Sequence, residues 1–67
     1  MKNLTLDILD MVIRNRKVRT TELYTVLAKK WSVYSIARQL YELEKRGYIR
    51  TVEESGEEYI EVGEKLD

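Results

Sequence analysis

The sequence predicts an α+β fold in a single domain, three helices followed by a β-hairpin, spanning residues 1–67. Three observations predict it. Apolar residues recur with a helical period from Leu4 to Leu43, and the segment from Ser32 to Gly47 carries its own start and stop signals. Beyond Gly47 the apolar period falls from 3.6 to 2 around Ser55-Gly56, a two-residue hairpin turn signal.

The first helix is expected at about 4–15. Leu4, Leu6, Ile8, Leu9, Met11, Val12 and Ile13 spread over an arc of roughly 220° on a helical wheel, about twice what one packed face requires. The surplus predicts a homodimer through this helix, with Leu4, Ile8 and Met11 as contacts, since a domain this small is short of core. Lys17-Val18-Arg19 reads as a short extended stub. A second helix at about 21–30 follows, capped by Thr20 or Thr21, with a core stripe of Leu23, Val26 and Leu27 and with Tyr24 at its margin. Lys29 and Lys30 end it, where cations suit the helix dipole. The connection onward is very short, so the second and third helices cross steeply with Trp31 plugging the corner.

The third helix, at about 33–46, organises the chain. The Ser32 hydroxyl can accept a bond from an orphaned first-turn N–H, and Gly47 can take the left-handed turn that ends the helix. At 100° per residue Val33, Ile36, Leu40 and Leu43 share the core face, while Tyr34, Ser35, Arg38, Tyr41, Glu42 and Lys45 are presented. Hydroxyls, a guanidinium, phenols and an ammonium on one face suit base edges and phosphates. The hairpin is expected at about 48–62. Its turn sets Arg50 opposite Glu61, Ile49 opposite Val62 on the core side, and Glu53 opposite Glu58 at the tip. Gly63 to Asp67 reads as a frayed polar tail.

Composition narrows the chemistry. The chain has no Cys and no His, which removes thiol and imidazole chemistry and the usual zinc sites, and no carboxylate is paired with a nucleophile or set at metal-ligand spacing. No catalytic residue, metal or cofactor is expected, and the chain is not read as an enzyme. No apolar run is long enough to cross a bilayer, and Asp7 and Asp10 interrupt the stretch where a signal peptide would be apolar, so a cytoplasmic location is expected. Abundant Lys, Arg and Glu resemble a thermophile's composition.

The net charge of zero conceals an asymmetry. Between Arg14 and Arg50 ten basic residues face Glu22, Glu42 and Glu44, net +7; after Arg50 seven acidic residues face Lys65, net −6. The field is a dipole, positive in the middle of the chain and negative at its end.

The order of elements resembles the winged helix-turn-helix family over nearly the whole chain. Thr20-Thr21-Glu22-Leu23 is similar to that family's second-helix start and Trp31-Ser32 to its turn into the recognition helix. Leu40-Tyr41-Glu42-Leu43-Glu44-Lys45-Arg46-Gly47-Tyr48-Ile49 is similar to its passage from recognition helix into hairpin. The resemblance implies a transcriptional regulator that binds double-stranded DNA, with the third helix in the major groove and the hairpin as wing. It places Val33, Tyr34, Ser35, Ala37 and Arg38 near bases, and Thr20, Thr21, Lys29 and Lys30 near phosphates. Tyr41 and Lys45 lie on the same presented face, and the basic cluster of Arg16, Lys17 and Arg19 adds a possible phosphate footprint. Two departures stand out: Val33 and Ala37 are apolar where many members are polar, and the wing tip is acidic.

The rival expectation is a winged-helix protein-interaction module in a transcription, replication or membrane-remodelling assembly, whose acidic wing meets a basic protein partner. Lys17 and Arg19 then pair with the hairpin rather than with phosphates. Tyr34 also has two readings, a contact to nucleic acid or a shield for the turn near Trp31.

Overall fold

The computed structural model describes residues 3–66, and its elements are α1 (Leu4–Asn15), β1 (Lys17–Arg19), α2 (Thr20–Leu27), α3 (Val33–Lys45), β2 (Ile49–Glu54) and β3 (Glu57–Val62). The strands form one antiparallel sheet in the order β1-β3-β2. The expected α+β architecture is therefore present, with the stub at Lys17–Arg19 recruited as an edge strand. Among the described residues no helix is long and apolar enough to cross a membrane.

Local chemistry explains most boundaries. Asn3 caps α1 by accepting from the Leu6 N–H at 3.2 Å. At the other end the Asn15 side chain donates to the Met11 carbonyl at 2.8 Å, and Arg16 turns the chain into β1 at φ 67°, a region L-residues seldom occupy. Ser32 caps α3 as expected, its hydroxyl oxygen accepting from the Ser35 N–H at 3.0 Å. Gly47, at φ 84°, ends α3: its N–H reaches the Glu44 carbonyl at 3.0 Å and the Tyr48 N–H reaches that of Leu43 at 3.0 Å, the paired bonds of a Schellman motif. Ser55 and Gly56 both have positive φ, as a tight hairpin turn requires, and the register pairs Arg50 with Glu61, Ile49 with Val62 and Glu53 with Glu58.

Five expectations need correction. The α2 cap is Arg19, with no side-chain bond, because the Thr20 hydroxyl instead donates to Glu58 Oε2 on β3 at 2.9 Å. The same helix stops at Leu27, so Lys29 and Lys30 lie in a five-residue connection and not in its last turn. Trp31 is drawn back onto α1, where its indole N–H donates to Asp7 Oδ2 at 3.1 Å. Residues 63–66 are not frayed: the Gly63 N–H bonds the Tyr48 carbonyl at 2.8 Å and the Lys65 N–H bonds that of Gly47 at 2.9 Å. A Cβ at Gly63 would sit 2.3 Å from the Gly47 carbonyl oxygen, so this crossing requires glycine. Asp67, the end of that tail, lies outside the described residues.

A fifth correction concerns α1. Every element supplies the core: Leu4, Ile8 and Val12 from α1, Val18 from β1, Leu23 and Leu27 from α2, Ile36 and Leu43 from α3, Ile49 and Ile60 from the hairpin. Leu4 and Ile8 are thus buried within one chain and Met11 packs against them, so these three are not a free dimer face. The apolar residues that α1 leaves exposed are Leu6 and Ile13. Val26 and Val33, both expected inside, are exposed as well. Burial on α3 is centred on Ile36 and Leu43 and falls off through half-buried Leu40, and Val33 lies about 60° beyond Ile36 on the wheel.

Ile8→Ala should cost about 2–5 kcal/mol by urea denaturation, a large share of the ~3–10 kcal/mol expected for a chain of this length, because the removed atoms are fully buried. Leu6→Ala, at an exposed position of the same helix, should change stability by less than about 0.5 kcal/mol.

Candidate nucleic-acid interface

The two caps and the two buried side chains fix how α3 stands on the sheet, and its remaining face is turned outward. Tyr34 is 74% exposed and Tyr41 64%, with Arg38 and Lys45 exposed beside them. Among the described residues, Arg38 and Lys45 form no ion pair, and neither do Lys29 and Lys30 in the connection ahead of the helix. Two cations and two phenols therefore share the outward side of α3, while Lys29 and Lys30 precede its N-terminal end, Lys30 lining a cleft with Asp7 and Asp10. Tyr34 and Arg38 also line a shallow cleft with Trp31 and the start of α1, so Tyr34 neighbours the corner without being buried by it. Ser35 belongs to the cap: its hydroxyl accepts from that of Ser32 at 2.9 Å and it is half-buried.

The other candidate residues are gathered on the opposite flank. Lys17 Nζ lies 2.6 Å from Glu54 Oε1 and 5.0 Å from the centre of the Tyr59 ring. Arg19 pairs with Glu57 and lies 5.9 Å from the same ring. Thr20 is tied to Glu58, and Arg50 meets Glu61 at 2.6 Å. The strand order makes these contacts unavoidable, since β1 pairs with β3 and brings Lys17 opposite Glu61 and Arg19 opposite Tyr59. The basic cluster is thus split. Lys17 and Arg19 are held by the hairpin, whereas Arg16 is exposed at the α1–β1 turn and Thr21 is exposed on α2.

The helical wheel assigns Val33 to the core, whereas the family resemblance sets it among the positions near bases. The structure places it 60% exposed, in line with Ala37 and Tyr41 on the outward face of α3. The signal available in the sequence was its position at the first residue of the helix, ahead of the turn that Ile36 anchors.

No protein-family model, curated protein or solved structure matches this chain. The class defined by fold and site is a small α+β domain whose third helix presents an unpaired cationic and aromatic face.

The hydrogen bond to Glu54, helped by the charges of Glu54 and Glu61, holds the Lys17 ammonium above its ordinary value of 10.5. Because the folded value is raised, whatever this pairing adds to stability is fully present below 10.5 and is lost as pH rises through the higher folded value. The 13Cε titration of Lys17 should therefore have its midpoint above 10.5, and Glu54→Gln should move it back down.

Proposed function

We propose that the chain is a winged helix-turn-helix domain that binds double-stranded DNA, as a transcriptional regulator with α3 in the major groove. The observation that carries this reading is the outward face of α3, where Tyr34, Arg38, Tyr41 and Lys45 stand exposed and the two cations have no ion-pair partner among the described residues. Arginine on such a face can donate two bonds to guanine N7 and O6, and tyrosine can contact either a base or a phosphate. Lys29 and Lys30, in the connection that leads into the helix, then meet the sugar-phosphate backbone flanking the groove. The footprint is smaller than the sequence suggests, because Lys17, Arg19 and Thr20 are engaged by the hairpin.

That same engagement favours a second reading. Cations satisfied inside the fold do not draw in phosphates, and although the same pairs engage Glu54 and Glu57, the wing tip keeps Glu53 and Glu58 outside those ion pairs, an acidic remainder that suits a basic protein surface. The two readings diverge in the test tube. With four free cations, fluorescence anisotropy of a labelled duplex across a salt series should give a slope of about −3 to −4 in log affinity against log salt. Arg38→Ala should weaken binding to a preferred site by about 1–3 kcal/mol and leave the fold intact. Lys29→Ala should weaken binding to all duplexes alike and make the slope shallower by about one. Duplex binding that is absent at low salt would reject the DNA reading in favour of the protein partner.

A further inference from the structure

Val33, Ala37 and Tyr41 follow one another at intervals of four residues along the exposed side of α3, and Val33 is 60% and Tyr41 64% exposed. A β-branched residue is a poor choice for a solvated helix face, so the line calls for an occupant. Its surroundings restrict which one. Arg38 and Lys45 flank it and Lys29 and Lys30 precede the helix, against two carboxylates on α3: Glu42, half-buried one turn from Arg38, and Glu44, which accepts the Thr51 hydroxyl at 3.2 Å. Four cations against two carboxylates favour an anionic occupant, one that offers apolar groups to a narrow strip. A second copy of this chain meeting the same face would bring like charges together, and three side chains in a row fall far short of the ~800 Å² per partner that stable association needs.

Thymine satisfies both conditions, because its 5-methyl group projects into the major groove between two rows of phosphates. Resting on the proposed DNA binding, we infer that Val33 and Ala37 read thymine methyl groups, which makes the site selective for thymine over cytosine at the positions they face. Neither side chain can donate or accept a hydrogen bond, so apolar contact is their sole means of discrimination. Four residues of helix advance about 6 Å. Two base-pair steps advance about 6.8 Å, so the two methyl-bearing residues meet thymines about two steps apart. Arg38, adjacent to Ala37, supplies the complementary hydrogen-bonding contact.

The test compares duplexes that differ only in the methyl group. A preferred site is selected from randomised duplexes with the full chain, and its affinity is measured again with deoxyuridine replacing thymine one position at a time. Burying one methyl group corresponds to about fourfold in affinity, so two positions about two steps apart should each lose roughly that factor. Val33→Ser with Ala37→Ser should abolish the difference between thymine and deoxyuridine duplexes and leave the salt slope unchanged, its fold verified by circular dichroism. If that variant does not fold, the thymine-to-deoxyuridine comparison on the parent chain decides. Equal affinity of the parent for both duplexes, with a normal salt slope, overturns methyl readout and leaves DNA binding standing. Absence of binding to any duplex overturns both.

Discussion

Ile36, which is fully buried, and Leu43 are the contacts on which the arrangement depends. They seat α3 on the same core that Ile8, Val12, Leu23, Ile49 and Ile60 fill, and a helix pinned at two points a turn or two apart cannot rotate about its axis. Once that rotation is fixed, the outward positions are fixed too: Val33, Tyr34, Ala37, Arg38, Tyr41 and Lys45 have no alternative to exposure. The Ser32 cap and the Gly47 terminus then set where the face begins and ends along the axis. Among the described residues the ten that form the core are drawn from all six elements, so no element is dispensable. Burial of Leu4 and Ile8 follows from that shortage of core, and with it the loss of the dimer face that the wide apolar arc on α1 had suggested.

Electrostatics sorts the basic residues into two groups that composition cannot separate. Antiparallel pairing of β1 with β3 places Lys17 and Arg19 over Tyr59 and within reach of Glu54 and Glu57. Those pairs are exposed and contribute little to folding individually, but they remove two cations from any phosphate footprint. The cations of α3 and of the connection before it have no such partners among the described residues. The dipole along the chain thus becomes a division across the molecule, with a neutralised flank at the hairpin and a positive one at α3.

Much of this was legible in the sequence because it depends on local chemistry. The Ser32 cap, the Gly47 stop, the Ser55-Gly56 turn and the Arg50–Glu61 pairing each follow from a few adjacent residues and a fixed period. What was not legible depended on which neighbours arrive from elsewhere. Thr20 has the chemistry of a cap and is diverted by Glu58, 38 residues away. Nothing local to Lys29 announces that α2 ends at Leu27, where the Lys30 and Trp31 N–H groups both close on the Leu27 carbonyl. The tail holds because Gly63 has no side chain where it crosses Gly47, a contact between two glycines that carry no periodic signal. For the candidate site, the presented polar residues of α3 were readable from the wheel. The exposure of Val33 was not, because a wheel treats the first turn as though core surrounded it.

The central claim is that the outward face of α3 is the surface that meets nucleic acid. The most direct measurement is a titration of the 15N-labelled chain with an unlabelled duplex at low salt, followed residue by residue in heteronuclear NMR. The account predicts shifts concentrated on residues 29–30 and at Val33, Tyr34, Ala37, Arg38, Tyr41 and Lys45, with Glu53–Glu58 little changed. Shifts confined to the hairpin tip, or spread evenly over Arg16, Lys17 and Arg19 with α3 unaffected, would contradict it.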